Sequence, residues 1–309
     1  MSWERILVAV GPKGIGPIEL DKIGRIAAGS KAQVELFQCI QDPHMPRKAA
    51  GGAISAEDDV QGQTDDCYRA LEEPAARLRG FGVPVHVNVR WDQPVHSGLI
   101  REVQRARADL IVCQSNPKKR AARWLLTQTD YKLIEKCPCS VLFIKTREPY
   151  GRPRIIAAVD PEPFDRAERR SAHELEDAIV GAATTLAGAL AGEASLLSVT
   201  KPWSRLVEES VALESASPTV SEEMHAAYCE TVRINLQALA QRHGIPGRRL
   251  AIVEGDAAEI LPRVANHDGA QVMVMGVVSR SRVERMLIGH TAERVLDALY
   301  CDVLAVKLP

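Results

Sequence analysis

Two kinds of hydrophobic pattern alternate along this chain of 309 residues. Short runs rich in β-branched residues, such as Ile6–Val10 and Leu110–Cys113, predict buried strands. Between them lie longer stretches in which apolar residues recur every three or four positions, for example Leu175, Ile179 and Ala182, and these stretches predict amphipathic helices. The alternation predicts an α/β fold in which helices cover both faces of a doubly wound parallel sheet.

The sequence contains this pattern twice. Residues 82–145 align with residues 244–307 without a gap, and residues 5–12 align in the same way with residues 154–161. Each copy has the order β-α-β-α-β-α-β-α-β, which predicts one five-stranded parallel sheet per copy. The chain is therefore expected to hold two copies of one domain.

A short linker that begins at Pro149 and ends at Pro153 separates the copies. We place the first domain at residues 1–148 and the second at residues 153–309. About 150 residues are enough for each domain to bury its own core. Because the linker is too short for independent movement, we expect the copies to pack as an internal pseudo-dimer through the apolar final strand of each.

The composition excludes several classes of protein. The formal net charge is −1, so the chain has no electrostatic signature of a nucleic-acid or acidic-membrane partner. No apolar run approaches the roughly 18 residues that a membrane span requires. The seven cysteines are scattered along the chain, which is typical of reduced thiols in the cytoplasm. We therefore expect a soluble, cytoplasmic protein.

The most informative segment for chemistry lies near the end of the second copy. Met275-Gly276 ends a predicted strand, and Gly289-His290-Thr291 begins a predicted helix. Glycines at such positions let backbone N–H groups approach phosphate oxygens, and the start of a helix favours an anion. Asp160 follows the first strand of the same copy. Because ligands of doubly wound sheets bind at the carboxyl ends of the strands, we expect these residues to share one crevice.

The run from Gly276 through Gly289-His290-Thr291 to Lys307 resembles the terminal segment of the universal stress proteins, whose nucleotide-binding members carry G-x2-G-x9-G-S/T. The segment Thr129–Pro138 and the tandem order resemble the two-domain members of that family. The resemblance implies an adenine nucleotide alpha-hydrolase-like fold and a non-catalytic stress-response or regulatory role. It implies ATP or AMP as the candidate ligand, no required cofactor, and regulatory protein partners that the sequence does not identify. Association of two whole chains into a homodimer stays open.

Within this resemblance, the second copy is the one that is expected to bind a nucleotide. Asp160 matches an acidic residue of the family that lies near the nucleoside, while Gly276 and Gly289 match the first and last glycines of the loop. Ser279 replaces the middle glycine and His290 replaces the hydroxyl residue, so weak binding is expected. The candidate site comprises Val159, Asp160, Met275, Gly276, Ser279, Gly289, His290 and Thr291.

In the first copy the corresponding positions have changed. Gln114, Pro117 and Thr127 stand where the family has its three glycines, and Gly11 stands where it has the acidic residue. Proline has no N–H group to offer a phosphate, and a glutamine side chain fills the end of the strand. The first copy is therefore predicted to be a structural partner without a nucleotide site.

A short amphipathic helix is predicted after the second strand of the second copy. Trp203, Leu206 and Val207 fall at positions i, i+3 and i+4, beside the expected crevice. One interpretation is a lid over the ligand. The other is that these residues cover the edge of the sheet or an interface between the copies.

Other polar clusters have structural explanations. Cys137-Pro138-Cys139 lacks the C-x-x-C redox spacing and is interpreted as a tight connection to the final strand. Asp256–Glu259 has the spacing of a capping box, which predicts the start of a helix. The histidines do not show metal-ligand spacing, so no metal site is expected.

Three classes of function remain open. The first is a non-catalytic protein that binds a ligand in the second copy, and the second is a ligand-free scaffold for protein interactions. The third is an adenine-nucleotide enzyme such as an adenylyltransferase or a PP-loop ligase. Those enzymes need H-x-G-H or S-G-G-x-D/S after the first strand, where this chain has Gly11–Gly14 and Asp160–Pro163. We therefore predict that the protein is not an enzyme and shows at most trace ATP turnover.

Overall fold

The structure is a computed structural model that describes residues 2–41, 56–114, 127–161, 169–205, 218–277 and 289–308. The chain folds into two compact units, Ser2–Gly151 and Arg152–Leu308. Each unit has its own parallel sheet, helices and buried core.

The first unit contains five strands and four helices within the described residues. Strands β1 to β5 span Arg5–Ala9, Gln33–Ile40, Val85–Trp91, Leu110–Gln114 and Ser140–Ile144. Helices α1 to α4 span Pro17–Ser30, Ala56–Arg79, Val95–Ala106 and Gln128–Lys136. The strands lie in the order β3-β2-β1-β4-β5, and all neighbours are parallel.

The second unit repeats this arrangement. Strands β6 to β10 span Arg154–Val159, Glu193–Thr200, Leu250–Glu254, Val272–Gly276 and Asp302–Val306. The long described helices α5 to α8 span Arg169–Leu190, Pro218–Arg242, Ala257–His267 and His290–Ala298. The strand order is β8-β7-β6-β9-β10, again with parallel neighbours. The predicted fold class, α/β with two five-stranded parallel sheets, is confirmed.

Burial on both faces explains the continuous apolar runs in the central strands. Ile6, Leu7 and Val8 are consecutive in β1 and all three are buried. Each large aliphatic side chain that leaves water in this way stabilises the fold by about 1.5–3 kcal/mol. Such strands suit a parallel sheet, because helices exclude water from both of its faces.

Helices α1 and α5 end in the same way, which fixes the correspondence between the units. Lys31 and Ala191 follow these helices in the left-handed conformation, with φ of 57° and 51°. Strands β2 and β7 begin two residues later. Counting back twelve residues from each left-handed residue places Glu19 of the first unit opposite Ile179 of the second.

Strand order creates a crevice at the same point in each unit. β1 lies between β2 and β4, and β6 lies between β7 and β9. The chain leaves these central strands in two opposite directions, so the carboxyl ends of β6 and β9 form a topological switch point where ligands of this fold class bind. Among the described helices, none is long and apolar enough to cross a membrane.

Candidate functional site

A cavity of about 420 Å³ opens at the carboxyl ends of β6 and β9 in the second unit. Six of the predicted site residues line it, namely Val159, Asp160, Met275, Gly276, Gly289 and Thr291. They meet because parallel strands end at one edge of the sheet and α8 begins above that edge. His290 is the first residue of α8, although its side chain is outside the described part of the chain. Ser279 also lies outside the described residues.

The walls of the cavity are mainly apolar, with two carboxylates among them. The aliphatic side chains come from α5, β7, α7 and α8, and they are Leu175, Ile179, Leu197, Val199, Leu261 and Val295. Asp160 and Glu176 are the acidic residues of the lining. Glu176 is buried, and its Oε2 lies 3.5 Å from Nδ1 of His173. The cavity can therefore hold an apolar or aromatic group beside hydrogen-bond acceptors.

Gly276 keeps the cavity open beside α5. A Cβ atom at this position would lie 3.0 Å from Leu175 Cδ2 and 3.2 Å from Ile179 Cδ1. Both distances are shorter than ordinary van der Waals contacts, so a side chain at residue 276 would displace these neighbours or fill the cavity. A side chain at this position therefore requires Leu175 and Ile179 to shift by a few tenths of an ångström.

Helix α8 begins at the cavity without a side-chain cap. Gly289 is the N-cap residue, and its carbonyl accepts the Glu293 N–H at 3.0 Å. Its own N–H donates to the Val277 carbonyl at 3.4 Å. The N–H groups of the first helical turn have no partner inside the helix, and the positive end of the helix dipole is at the same place. This end of the cavity is suited to an anion.

In the first unit, side chains of the unit itself occupy the corresponding helix start. Thr127 and Asp130 form a capping box at α4. The Thr127 N–H donates to Asp130 Oδ2 at 2.7 Å, and the Asp130 N–H donates to Thr127 Oγ1 at 3.2 Å. Asp130 is buried, and burial raises the pKa of its carboxyl group, while the hydrogen bonds from Thr127 oppose that rise. This carboxylate takes the place that a bound anion would occupy.

Gln114 closes the end of β4 in the first unit. Its Nε2 donates a hydrogen bond to Oε1 of Glu19 at 3.0 Å. The corresponding pair in the second unit is Gly276 and Ile179, both of which line the 420 Å³ cavity. The first unit has a smaller cavity of about 250 Å³ beside the ends of β1 and β2, and its lining does not include Gln114 or Thr127.

Trp203 packs on helix α6 and is not among the residues that line the cavity. Its ring stacks on His225 with centroids 4.9 Å apart and also lies 6.4 Å from the ring of Tyr228. Leu206 and Val207 lie outside the described residues. The lid interpretation therefore stays a prediction.

Asp256 caps helix α7, as its spacing predicts. Its Oδ1 accepts the Ala258 N–H at 2.9 Å, and its Oδ2 accepts a hydrogen bond from Arg294 Nη1 at 3.0 Å. The Ala258 N–H and, to a lesser extent, Arg294 hold the pKa of this carboxyl group below its usual value. The pair fixes α8 against α7, both of which contribute to the cavity.

The cysteines do not form a bridged framework. All seven are free, and the Sγ atoms of Cys137 and Cys139 lie 3.6 Å apart. Within the described residues, no group of three histidine, cysteine or acidic side chains is arranged to hold a metal ion.

Two residues that matter for the site, Asp130 and Glu176, were not predicted from the sequence. The T-x-x-D spacing of Thr127 and Asp130 is a capping-box signal that could have identified Asp130. Glu176 had no such signal, because only the packing of α5 shows that this carboxylate is buried beside the cavity.

Comparison with known proteins finds relatives along the whole chain. The model of the Universal stress protein family matches residues 2–145 and 153–307. Universal stress protein E of Escherichia coli K12 is 27% identical over 248 residues, which cover 77% of this chain and 72% of the relative. The Universal stress protein E homolog of Haemophilus influenzae is 25% identical and covers 99% of this chain and 98% of the relative. A solved structure of PA1789, a functionally unknown protein from Pseudomonas aeruginosa PAO1, is 29% identical with a TM-score of 0.75, covering 99% of this chain and 92% of that one.

Proposed function

Because the chain belongs to the universal stress protein family and carries two copies of its domain, we propose that it is a non-catalytic stress-response protein whose second unit binds an adenine nucleotide such as ATP or AMP. One observation carries this proposal. The start of α8 meets an open cavity, whereas the start of α4 is closed by the carboxylate of Asp130.

The cavity offers a suitable place for each part of a nucleotide. The apolar wall that includes Leu175 and Ile179 suits the flat base, and the Asp160 carboxylate suits the hydroxyl groups of the ribose. The phosphates would lie at the first turn of α8, where backbone N–H groups and the helix dipole favour negative charge. Gly276 leaves the space that the ligand would take.

We propose that binding is weak. Ser279 and His290 replace a glycine and a hydroxyl residue that nucleotide-binding members of the family carry. His290 lacks the capping hydroxyl, and Ser279 would be strained where the family has glycine. Each change would reduce the free energy of binding by about 1 kcal/mol. The ligand would then regulate contacts with other proteins, and seven free cysteines support a reducing compartment such as the cytoplasm.

The proposal can be tested by calorimetric titration of ATP and AMP. The variants carry, in one unit, the residues that stand at the corresponding positions of the other unit. Gly276→Gln introduces the residue that stands at position 114, and Gly289→Thr with Ala292→Asp introduces the capping box of α4. We expect each change to weaken binding by at least about tenfold, because the first fills the cavity and the second places a carboxylate at the phosphate position. The matched control is Gln114→Gly, which alters the first unit and should leave the affinity unchanged.

Thermal unfolding of each variant shows whether the second unit still folds. Weaker binding by folded variants, with an unchanged Gln114→Gly control, supports the site. Absence of ATP and AMP binding by the wild-type protein, or equal binding by all variants, would favour the ligand-free scaffold instead.

A further inference from the structure

Strand β8 forms one edge of the second unit's sheet and pairs with β7 alone among the described strands. The Gly255 N–H that follows β8 donates to the Thr200 carbonyl on β7 at 2.9 Å. Backbone groups alternate in direction along a strand, so those of Leu250, Ile252 and Glu254 point away from β7. The Leu250 N–H bonds to Gly247. The outward N–H and C=O groups of Ile252 have no hydrogen-bond partner within the described part of the chain.

The corresponding edge of the first unit is covered. The Asp92 N–H donates to Ile40 on β2 as the Gly255 N–H donates to Thr200 on β7. Val89 therefore corresponds to Ile252 in the register of the sheet, one residue away from the Ala251 that the gap-free sequence alignment pairs with it. The outward N–H of Val89 donates to Oη of Tyr68 on α2 at 3.4 Å. Val89 is 6% exposed, whereas Ile252 is 41% exposed. The two units thus treat the same edge in opposite ways.

We propose that β8 is an association surface, on which a second copy of this chain adds its own β8 in antiparallel orientation about a twofold axis beside Ile252. In this arrangement Ile252 and Ile252 of the second copy exchange two N–H···O=C bonds. The Leu250 carbonyl accepts the N–H of Glu254 of the second copy, and the symmetry repeats that bond. The surface therefore uses outward groups that have no partner among the described residues of the unit.

The side chains along this edge are complementary to themselves in antiparallel orientation. Arg248 precedes the strand and is exposed, and Glu254 ends it with about half of its side chain exposed. When a second copy pairs in the opposite direction, its Glu254 lies toward the Arg248 end of the first copy's β8. The two Ile252 side chains lie on the same face of the joined sheet and cover each other. Natural sheets rarely leave such an edge open, because it can pair with another chain.

Sedimentation equilibrium of the wild-type protein and two variants tests the association. We expect the wild type to approach twice its 33.8 kDa mass as concentration rises. Ile252→Pro removes an outward N–H without breaking the ladder to β7, so it should keep the circular dichroism of the wild type and weaken association at least tenfold. Ile234→Lys is the matched control, because Ile234 is 52% exposed but lies on α6. This control should associate like the wild type.

The register has its own test. In a Cys229→Ser background, which removes an exposed thiol, Ile252→Cys should form a disulfide between two chains under mild oxidation, because the axis brings the two copies of residue 252 together. A wild-type protein that stays monomeric, a folded Ile252→Pro variant that associates as well as the wild type, or an Ile252→Cys variant that never cross-links would overturn the proposal. Nucleotide binding is independent of these outcomes.

Discussion

The side-chain amide of Gln114 donates a hydrogen bond to the carboxylate of Glu19 at 3.0 Å, where the second unit has Gly276 facing Ile179. One repeat has therefore placed a polar pair where the other keeps open space. The exchange explains how a single fold can carry one cavity at a switch point and close its counterpart.

Gln114→Ala should destabilise the first unit. Glu19 is buried, and removal of the amide leaves its Oε1 without this donor, which should lower the free energy of unfolding by about 1–3 kcal/mol. Urea denaturation followed by circular dichroism measures the change. The double variant Gln114→Gly with Glu19→Ile introduces the pair of the second unit and should recover part of the loss. A double variant less stable than the single one would contradict this explanation.

Asp130 should make the stability of the first unit depend on pH. Burial raises the pKa of Asp130 above its usual 3.8, so the folded state binds this proton more readily than the unfolded state. Its contribution to stability is therefore largest below pH 3.8 and is lost as pH rises through the raised pKa. The stability of the wild type relative to Asp130→Asn should fall over that range in urea titrations at several pH values. If the stability of the wild type relative to Asp130→Asn increased as pH rises, the pKa shift would have the opposite sign.

The cysteines should differ in their reaction with a thiol reagent at pH 8. Cys229 is exposed and should react first, whereas Cys113 is buried. Burial, aided by Asp92, raises the pKa of Cys39 to about 11, so that its reaction should be slow and should accelerate as pH approaches that value. Cys229→Ser should remove the fast phase of labelling. If the fast phase persists in that variant, another thiol is more accessible than the structure indicates.

Restoring the family residues should tighten nucleotide binding. Ser279→Gly and His290→Ser together should lower the dissociation constant for ATP by one to two orders of magnitude, if each contributes about 1 kcal/mol. Calorimetric titration with ATP measures the change. The same titration of the Gln114→Gly variant provides the comparison for the first unit. Unchanged affinity in the restored protein would mean that this loop does not contact phosphate.

Much of the fold could be predicted from the hydrophobic pattern, because buried parallel strands are nearly continuous apolar runs. Ile6–Val10 was predicted and Arg5–Ala9 is observed. The run Arg249–Val253 also predicts a strand, but Arg249 lies in a short 3-10 turn and the strand begins at Leu250. The difference follows from Pro246 and Gly247, which favour a turn at that point. The exact end of a strand therefore depends on neighbouring turn residues as well as on the apolar run.

The candidate site could be predicted where it depends on chain topology. Asp160 follows β6 and Gly276 ends β9, so the order of the parallel strands was enough to place them at one cavity. The burial of Glu176 and the contact of Trp203 with His225 could not be predicted, because they depend on how α5 and α6 pack against the sheet. Side-chain packing between distant elements leaves little trace in a single sequence.

The most direct test of the account is a crystal structure of the full chain grown with excess ATP or AMP. The account predicts nucleotide density in the second unit alone, with the ribose near Asp160, the base against Leu175 and the phosphates at the start of α8. The first unit should be empty of ligand, with Asp130 still bonded to Thr127. Nucleotide at the end of β4 in the first unit, or a second-unit cavity that excludes nucleotide while another ligand fills it, would contradict the account.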